Sequence, residues 1–270
     1  MSHRFPGLLA HLQAREIAEV QRSSNREHVT IGVTGHRNID VQSAALRAAI
    51  SDGAMAWVAD RYPGFRVSMM SGLAEGTDRL VAAMAHEALD ANVIAVVPLP
   101  DDLYEDDFVS TALRKEYREL LASARRVVRA PLLARRSSLK QHGMARDRQY
   151  AWAGAFIARR ADVLVAVWDG EPARGHGGTA DVVSWFLSNA TPRHLRMSAA
   201  PKLANHGGAR WLIHINPHDL AKPRFVRVSP RSARGAGSIA EATIRVRPSE
   251  ARSTRGARTK SGRARAQRSS

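Results

Sequence analysis

The 270-residue sequence contains no cysteine. That absence removes disulfide frameworks, cysteine-ligated zinc, thiolate nucleophiles and iron–sulfur clusters, and it fits a reducing compartment. Long hydrophobic runs are missing too. Stretches such as the one within residues 161–168 fall far short of the ~20 apolar residues a membrane helix needs, so no membrane partner is expected. The N-terminus lacks an apolar stretch followed by a small-residue cleavage site, which makes the cytoplasm the expected location. Acidic residues are scarce, 25 against 41 lysines and arginines, and the formal charge is +16.

That charge is concentrated at one end. Residues 224–270 hold 12 arginines and Lys260 against Glu241 and Glu250, a net +11. With little apolar surface to offset its ordering entropy, the segment 221–270 is expected to be a disordered, Arg-rich tail, able to touch nucleic acid without sequence preference. At the other end, residues 1–27 read as a leader. Its Leu8, Leu9, Leu12, Ile17 and Val20 make an imperfect helical stripe. Across the chain 44% of residues are hydrophobic, which excludes disorder throughout.

Between these ends, residues 28–220 alternate apolar runs of strand length with amphipathic stretches. Strands are predicted over 29–34, 66–71, 92–97, 126–130, 162–168 and 210–215. Helical stripes are formed by Leu46, Ala49, Ile50, Gly53 and Trp57; by Leu80, Met84 and Ala88; by Leu113, Tyr117, Leu120, Leu121 and Ala124; and by Val182, Val183, Phe186 and Leu187. Such alternation predicts a Rossmann-like three-layer α/β/α domain with a mainly parallel sheet. Ligands of open parallel sheets bind beyond the carboxyl ends of the strands, so the loops there carry the functional reading.

Three of those loops are unusual. The first strand ends in Gly32-Val33-Thr34-Gly35-His36-Arg37, where Gly35 admits a close backbone approach and Arg37 suits a phosphate or carboxylate. The second is followed by Ser71-Gly72-Leu73-Ala74-Glu75-Gly76-Thr77-Asp78, with Thr77 or Asp78 placed to cap a helix whose amides form an anion site. Trp168-Asp169-Gly170 and Gly175-His176-Gly177-Gly178-Thr179-Ala180-Asp181 follow the most apolar strand. Gly177 and Gly178 precede a helix that Thr179 is placed to cap, a pattern that cradles phosphate. Asp169 and Asp181 supply acceptors for sugar hydroxyls, and His176 is placed to touch a ligand.

Other constellations read as structure. His214 and His218 flank Pro217 at a strand end and make a poor metal pair. Asp101, Asp102, Glu105, Asp106 and Asp107 read as dipole-favourable acids in a first helical turn rather than a Mg²⁺ site. Trp152, Phe156 and Ile157 read as core. No serine has nucleophile-elbow spacing.

The octet from Ser71 to Asp78 resembles the SGLARGID motif of the DNA-processing protein A (Smf) group, and the segment from Gly177 to Asp181 resembles the GGxGTxxE loop of the LOG phosphoribohydrolases. Both groups belong to the SLOG superfamily. The combination VTGHR, SGLAEGTD, VWDG and GGTADVV is most similar to its poorly characterised bacterial branch, over about residues 28–190. The resemblance implies a Rossmann-like fold and a nucleotide or nucleotide-derived ligand, and LOG-like relatives imply a homo-oligomer. Glu75 stands where the DNA-processing group has Arg, and Thr77 where it has Ile. Asp181 takes the place of the first of two LOG carboxylates, and a LOG arginine finds only approximate counterparts in Arg146 and Arg148.

Three functions follow as expectations. The first is a nucleotide-binding module using Gly35, His36, Arg37, Ser71, Gly72, Glu75, Gly76, Asp78, Asp169, Gly177, Gly178, Thr179 and Asp181. The second is a nucleotide N-glycosidase with Asp181 and Glu75 as catalytic carboxylates. The third is DNA binding like that of the DNA-processing group, helped by the tail. No cofactor is implied, and Mg²⁺ would enter only with a nucleotide.

Overall fold

The computed structural model describes residues 27–173, 175–195 and 209–228. Six strands run parallel: β1 (His28–Gly35), β2 (Arg66–Ser71), β3 (Asn92–Val97), β4 (Arg126–Arg129), β5 (Val163–Val167) and β6 (Arg210–Asn216). A seventh, β7 (Asp219–Val228), returns antiparallel on β6. The order is β4-β3-β2-β1-β5-β6-β7. Every residue of β5 is buried, as a strand covered on both faces requires.

The helical elements are α1 (Ala44–Ala48), which passes through a π-helical segment (Ala49–Met55) into α2 (Ala56–Arg61); α3 (Thr77–Leu89); α4 (Asp101–Glu105); α5 (Thr111–Ser123); α6 (Met144–Arg160); and α7 (Thr179–Ser188). On one face of the sheet Ile31, Met69, Val165 and Ile213 pack with Ile50, Met55, Val81 and Met84. On the other, Leu164, Ala166 and Leu212 pack with Ala155, Ile157, Val183 and Phe186 of α6 and α7. A third cluster joins Ala95 and Val97 to Tyr104, Phe108 and Tyr117. The arrangement is a three-layer α/β/α sandwich, as the alternation predicts.

Two local expectations need correction. Of the stripe Leu46, Ala49, Ile50, Gly53, Trp57, the first three are buried and Trp57 packs partly buried against the same core, but beyond Ile50 the fully buried positions are Ala54, Met55 and Val58. The π-helical segment adds a residue to the turn, so the buried face moves one position along the chain. The domain also continues past residue 220. Residues 221–228 belong to β7 rather than to the tail, and Phe225 and Val226 pack against the two cores. The Lys, Pro and Arg residues that made this segment read as tail are those of a sheet edge, where cations and proline discourage further pairing. The leader up to residue 26 and the tail from residue 229 onward lie outside the described residues. No helix among the described residues is long and apolar enough to cross a membrane.

Candidate functional site

The chain lays down β1 to β4 outward in one direction and then returns to place β5 on the other side of β1. This reversal opens a crevice between the carboxyl ends of β1 and β5, the switch point at which open α/β sheets bind ligands. The loops after these two strands are tied together. His36 N–H donates to Val167 O at 3.2 Å, and Asp169 N–H donates to His36 Nε2 at 3.3 Å. The Asp169 carboxylate lies 3.2 Å from the same nitrogen. Its pKa is held below the usual carboxylate range, first by the Glu171 N–H that donates to it and then by His36.

A cavity of about 440 Å³ occupies the crevice. Of the residues singled out in the sequence, Gly35, His36, Arg37, Gly72, Asp78, Asp169, His176, Gly177, Gly178 and Thr179 line it. All three loops therefore meet at one edge of the sheet. Tyr104, Tyr150, Ala153, Gly154 and Trp168 are also in the lining. Sequence reasoning missed both tyrosines. Nothing in their local sequence sets them apart, and only the packing of α4 and α6 against the crevice brings them to it.

The octet after β2 holds the fold together more than it faces the cavity. Ser71, Glu75 and Gly76 are not among the lining residues. Ser71 is fully buried; its hydroxyl donates to Asp78 O at 3.1 Å and accepts from Leu73 N–H at 3.0 Å. Gly76 has φ +79°, and a Cβ there would lie 2.1 Å from Arg37 O. Neither Thr77 nor Asp78 caps α3 through its side chain; Gly76 is the N-cap. Thr77 instead donates both its N–H (3.2 Å) and its hydroxyl (2.9 Å) to His36 O. The loop after β1 thus sits on the helix terminus that the sequence suggested for an anion. The Asp78 carboxylate folds back to accept N–H groups of Ala74 and Gly72. Burial raises its pKa to about 6, against the opposing pull of Arg37 and those amides.

The glycine loop after β5 is open to the cavity. Gly178 is the N-cap of α7 and Thr179 its first residue, so the cap expected from Thr179 is not made. Thr179 and Ala180 line the cavity with first-turn amides that no helix satisfies internally, at the positive end of the α7 dipole. Gly177 has φ +85°, and a Cβ there would lie 2.5 Å from the Ala151 backbone, so this turn lies directly on α6. Asp181 reaches back to accept Gly177 N–H at 2.8 Å, with His176 Nδ1 at 3.6 Å. It braces the loop in the manner of a capping box and does not line the cavity.

Arg37 lines the same cavity as this loop. Its guanidinium sits 5.8 Å from the centre of the Tyr150 ring, within cation–π range, and 3.7 Å from Asp107. Burial lowers the Arg37 pKa, but Tyr104, Asp107, Tyr150 and Asp78 together raise it, and the cation is secure. Asp107 is itself buried, shared between Arg146 at 2.5 Å and the Tyr150 hydroxyl. Arg146 also donates to Leu139 O and Leu103 O, so this approximate counterpart of the LOG arginine is committed to structure. Neither it nor Arg148 lines the cavity.

The acidic run from Asp101 is dispersed into separate ion pairs. Asp101 meets Arg129 at 2.7 Å, Asp102 meets Arg136, and Glu105 meets Arg118 at 2.5 Å. Asp101 and Asp102 do occupy the first turn of α4. Among the described residues no group of three or more His, Asp or Glu could hold a metal ion. His214 contacts Trp168 O at 2.8 Å, while His218 donates its N–H to Asn216. No protein-family model matches the sequence, and no curated protein matches it closely enough to support an inference.

Proposed function

We propose that the protein binds, as a sensor, a nucleotide or nucleotide-derived ligand in the cavity at the β1/β5 switch point. The observation that carries this reading is the pairing, across one cavity, of a helix N-terminus approached by glycine backbone with a fixed guanidinium. Ligand phosphate sits against the bare backbone of Gly177 and Gly178, whose own N–H groups donate to Asp181 and Gly175 O, and is held by the first-turn amides of Thr179 and Ala180 at the positive end of the α7 dipole. Arg37 supplies the second positive pole. Asp78 and Asp169 offer acceptors for sugar hydroxyls, and Tyr150, its hydroxyl held by Asp107, offers its ring to a base. This reading agrees with the SLOG resemblance of the same loops, and it leaves any Mg²⁺ to arrive with the nucleotide.

Binding is favoured over N-glycosidic hydrolysis by the positions of the two carboxylates that hydrolysis would use. Asp181 is spent on the Gly177 amide and Glu75 stands outside the lining. DNA binding through the tail concerns residues beyond those described. The test is isothermal calorimetry with nucleoside monophosphates. Gly178→Asp puts bulk and like charge at the phosphate and should abolish binding, and Arg37→Met should weaken it about 10- to 100-fold, the worth of a charge-assisted hydrogen bond. Unchanged affinity in both variants would move the ligand elsewhere.

A further inference from the structure

A second cavity, of about 420 Å³, lies beside the first and is lined by Asn38, Asp40, Ser43, Pro217, His218 and Leu220. His36, Arg37 and Asp169 line both. The first cavity is walled by α6 and α7, which cover one face of the sheet; the second is walled by the start of α1 and the β6–β7 turn, whose Leu46 and Leu220 belong to the core of the other face. The two hollows therefore meet across the carboxyl edge of β1 and β5. Each falls within the range of about 300–1,000 Å³ typical of small-molecule sites.

Their chemistry is complementary. The shared wall carries Arg37, a partly exposed cation, and His36 held by Asp169. The second cavity joins apolar Pro217 and Leu220 to polar groups with capacity to spare. Ser43 Oγ accepts Leu46 N–H and keeps its own proton for donation, and Asp40 uses Oδ1 on Gln42 N–H and keeps Oδ2. Apolar surface with a hydroxyl and a carboxylate at its margin suits a nucleoside, whose base is flat and whose sugar donates hydroxyl protons.

We infer that the ligand is two-ended: a dinucleotide whose phosphate linker crosses the sheet edge beside Arg37 and whose second nucleoside enters the second cavity. This rests on the nucleotide-binding reading of the first cavity and adds the class of ligand. A mononucleotide fills only the first hollow, whereas a linked pair occupies both and places its anionic bridge at the cation they share.

The test compares AMP with diadenosine 5′,5′-diphosphate, and the corresponding guanosine compounds, by calorimetry on the full chain and on Asn38→Trp. Asn38 lines only the second cavity and its exposed side chain leaves the core untouched. His218→Trp, on the opposite wall, serves if the first variant melts early. The dinucleotide should bind at least about 10-fold more tightly than the mononucleotide, as a second linked contact provides. Either tryptophan should remove that gain and leave mononucleotide affinity as in wild type. Equal affinities for the two ligands, or a gain that survives both tryptophans, would overturn the inference while the first-cavity reading stands. Failure of every mononucleotide and dinucleotide to bind would overturn both.

Discussion

The octet after β2 and the glycine loop before α7 look alike as sequence: paired glycines, a threonine, an aspartate, and then a helix. They do different work. In the octet, Gly76 admits the Arg37 backbone and Thr77 binds His36 O, so the helix terminus is consumed in fixing one loop to another. In the glycine loop, Asp181 holds the turn from behind and the first amides of α7 remain at the cavity. The difference lies in what approaches each helix N-terminus first. A neighbouring backbone carbonyl has occupied one, and an open hollow faces the other. Motif spacing places a helix terminus at the ligand edge; it does not say who meets it there.

The comparison breaks most sharply at Gly76. Alanine there forces φ +79° on a residue with a side chain and drives its Cβ to 2.1 Å from Arg37 O. Strain and clash together should cost about 3 kcal/mol or more, read as a fall in denaturant midpoint at unchanged m-value. A loss below about 1 kcal/mol would mean that the octet is not the architectural partner of the pair. The wild-type arrangement of His36 and Arg37 depends on the same contact, so ligand affinity should fall with stability in this variant.

Much of this was legible in the sequence because period and composition are backbone-level signals. β2 and β3 fall on their predicted bounds, and the three loops meet at one edge because parallel strands place all their following loops there. What was not legible depends on tertiary approach. Nothing in the spacing of Leu46 to Trp57 announces a π-helical segment. Glu75 and Ser71 carry the chemistry of a site, yet Ser71 spends its hydroxyl on Asp78 O and Leu73 N–H. Tyr104, Asp107 and Tyr150 are brought to Arg37 from α4, the segment after it and α6, and no local pattern couples elements so far apart in the chain.

A sharper, intermediate test uses Asp78, the octet residue that does line the cavity. Its pKa of about 6 lies above the ordinary carboxylate value of 3.8 because burial disfavours the charge. The folded state therefore holds a proton that the unfolded chain has lost between about pH 4 and 6. The stability this contributes is fully present below pH 4 and is lost as pH rises through about 6. Arg37 is the largest opposing influence, so Arg37→Met should raise the Asp78 pKa further and carry that transition to higher pH. Carboxyl chemical shifts across a pH titration measure it directly. An unchanged or lower pKa in the variant would separate Asp78 from Arg37 and divide the proposed site.

The smallest expected effect belongs to Asp181, and it decides how the glycine loop is to be understood. Asparagine keeps an oxygen for Gly177 N–H but removes the negative charge from the first turn of α7. For a brace, the change costs only the charge–dipole term, about 0.3–1 kcal/mol of stability. Affinity for an anionic ligand should hold or rise slightly, since a like charge near the phosphate has gone. A catalytic carboxylate behaves in another way, because its contribution appears in the transition state and its loss lowers rate at nearly constant affinity. Incubating wild type with nucleoside monophosphates and assaying free base separates the two. Release by wild type that disappears in Asp181→Asn would make the brace a catalyst and turn the proposed binding module into a hydrolase. With no release from either protein, and a melting temperature only slightly lowered, Asp181 serves the turn and the anion belongs to the amides in front of it.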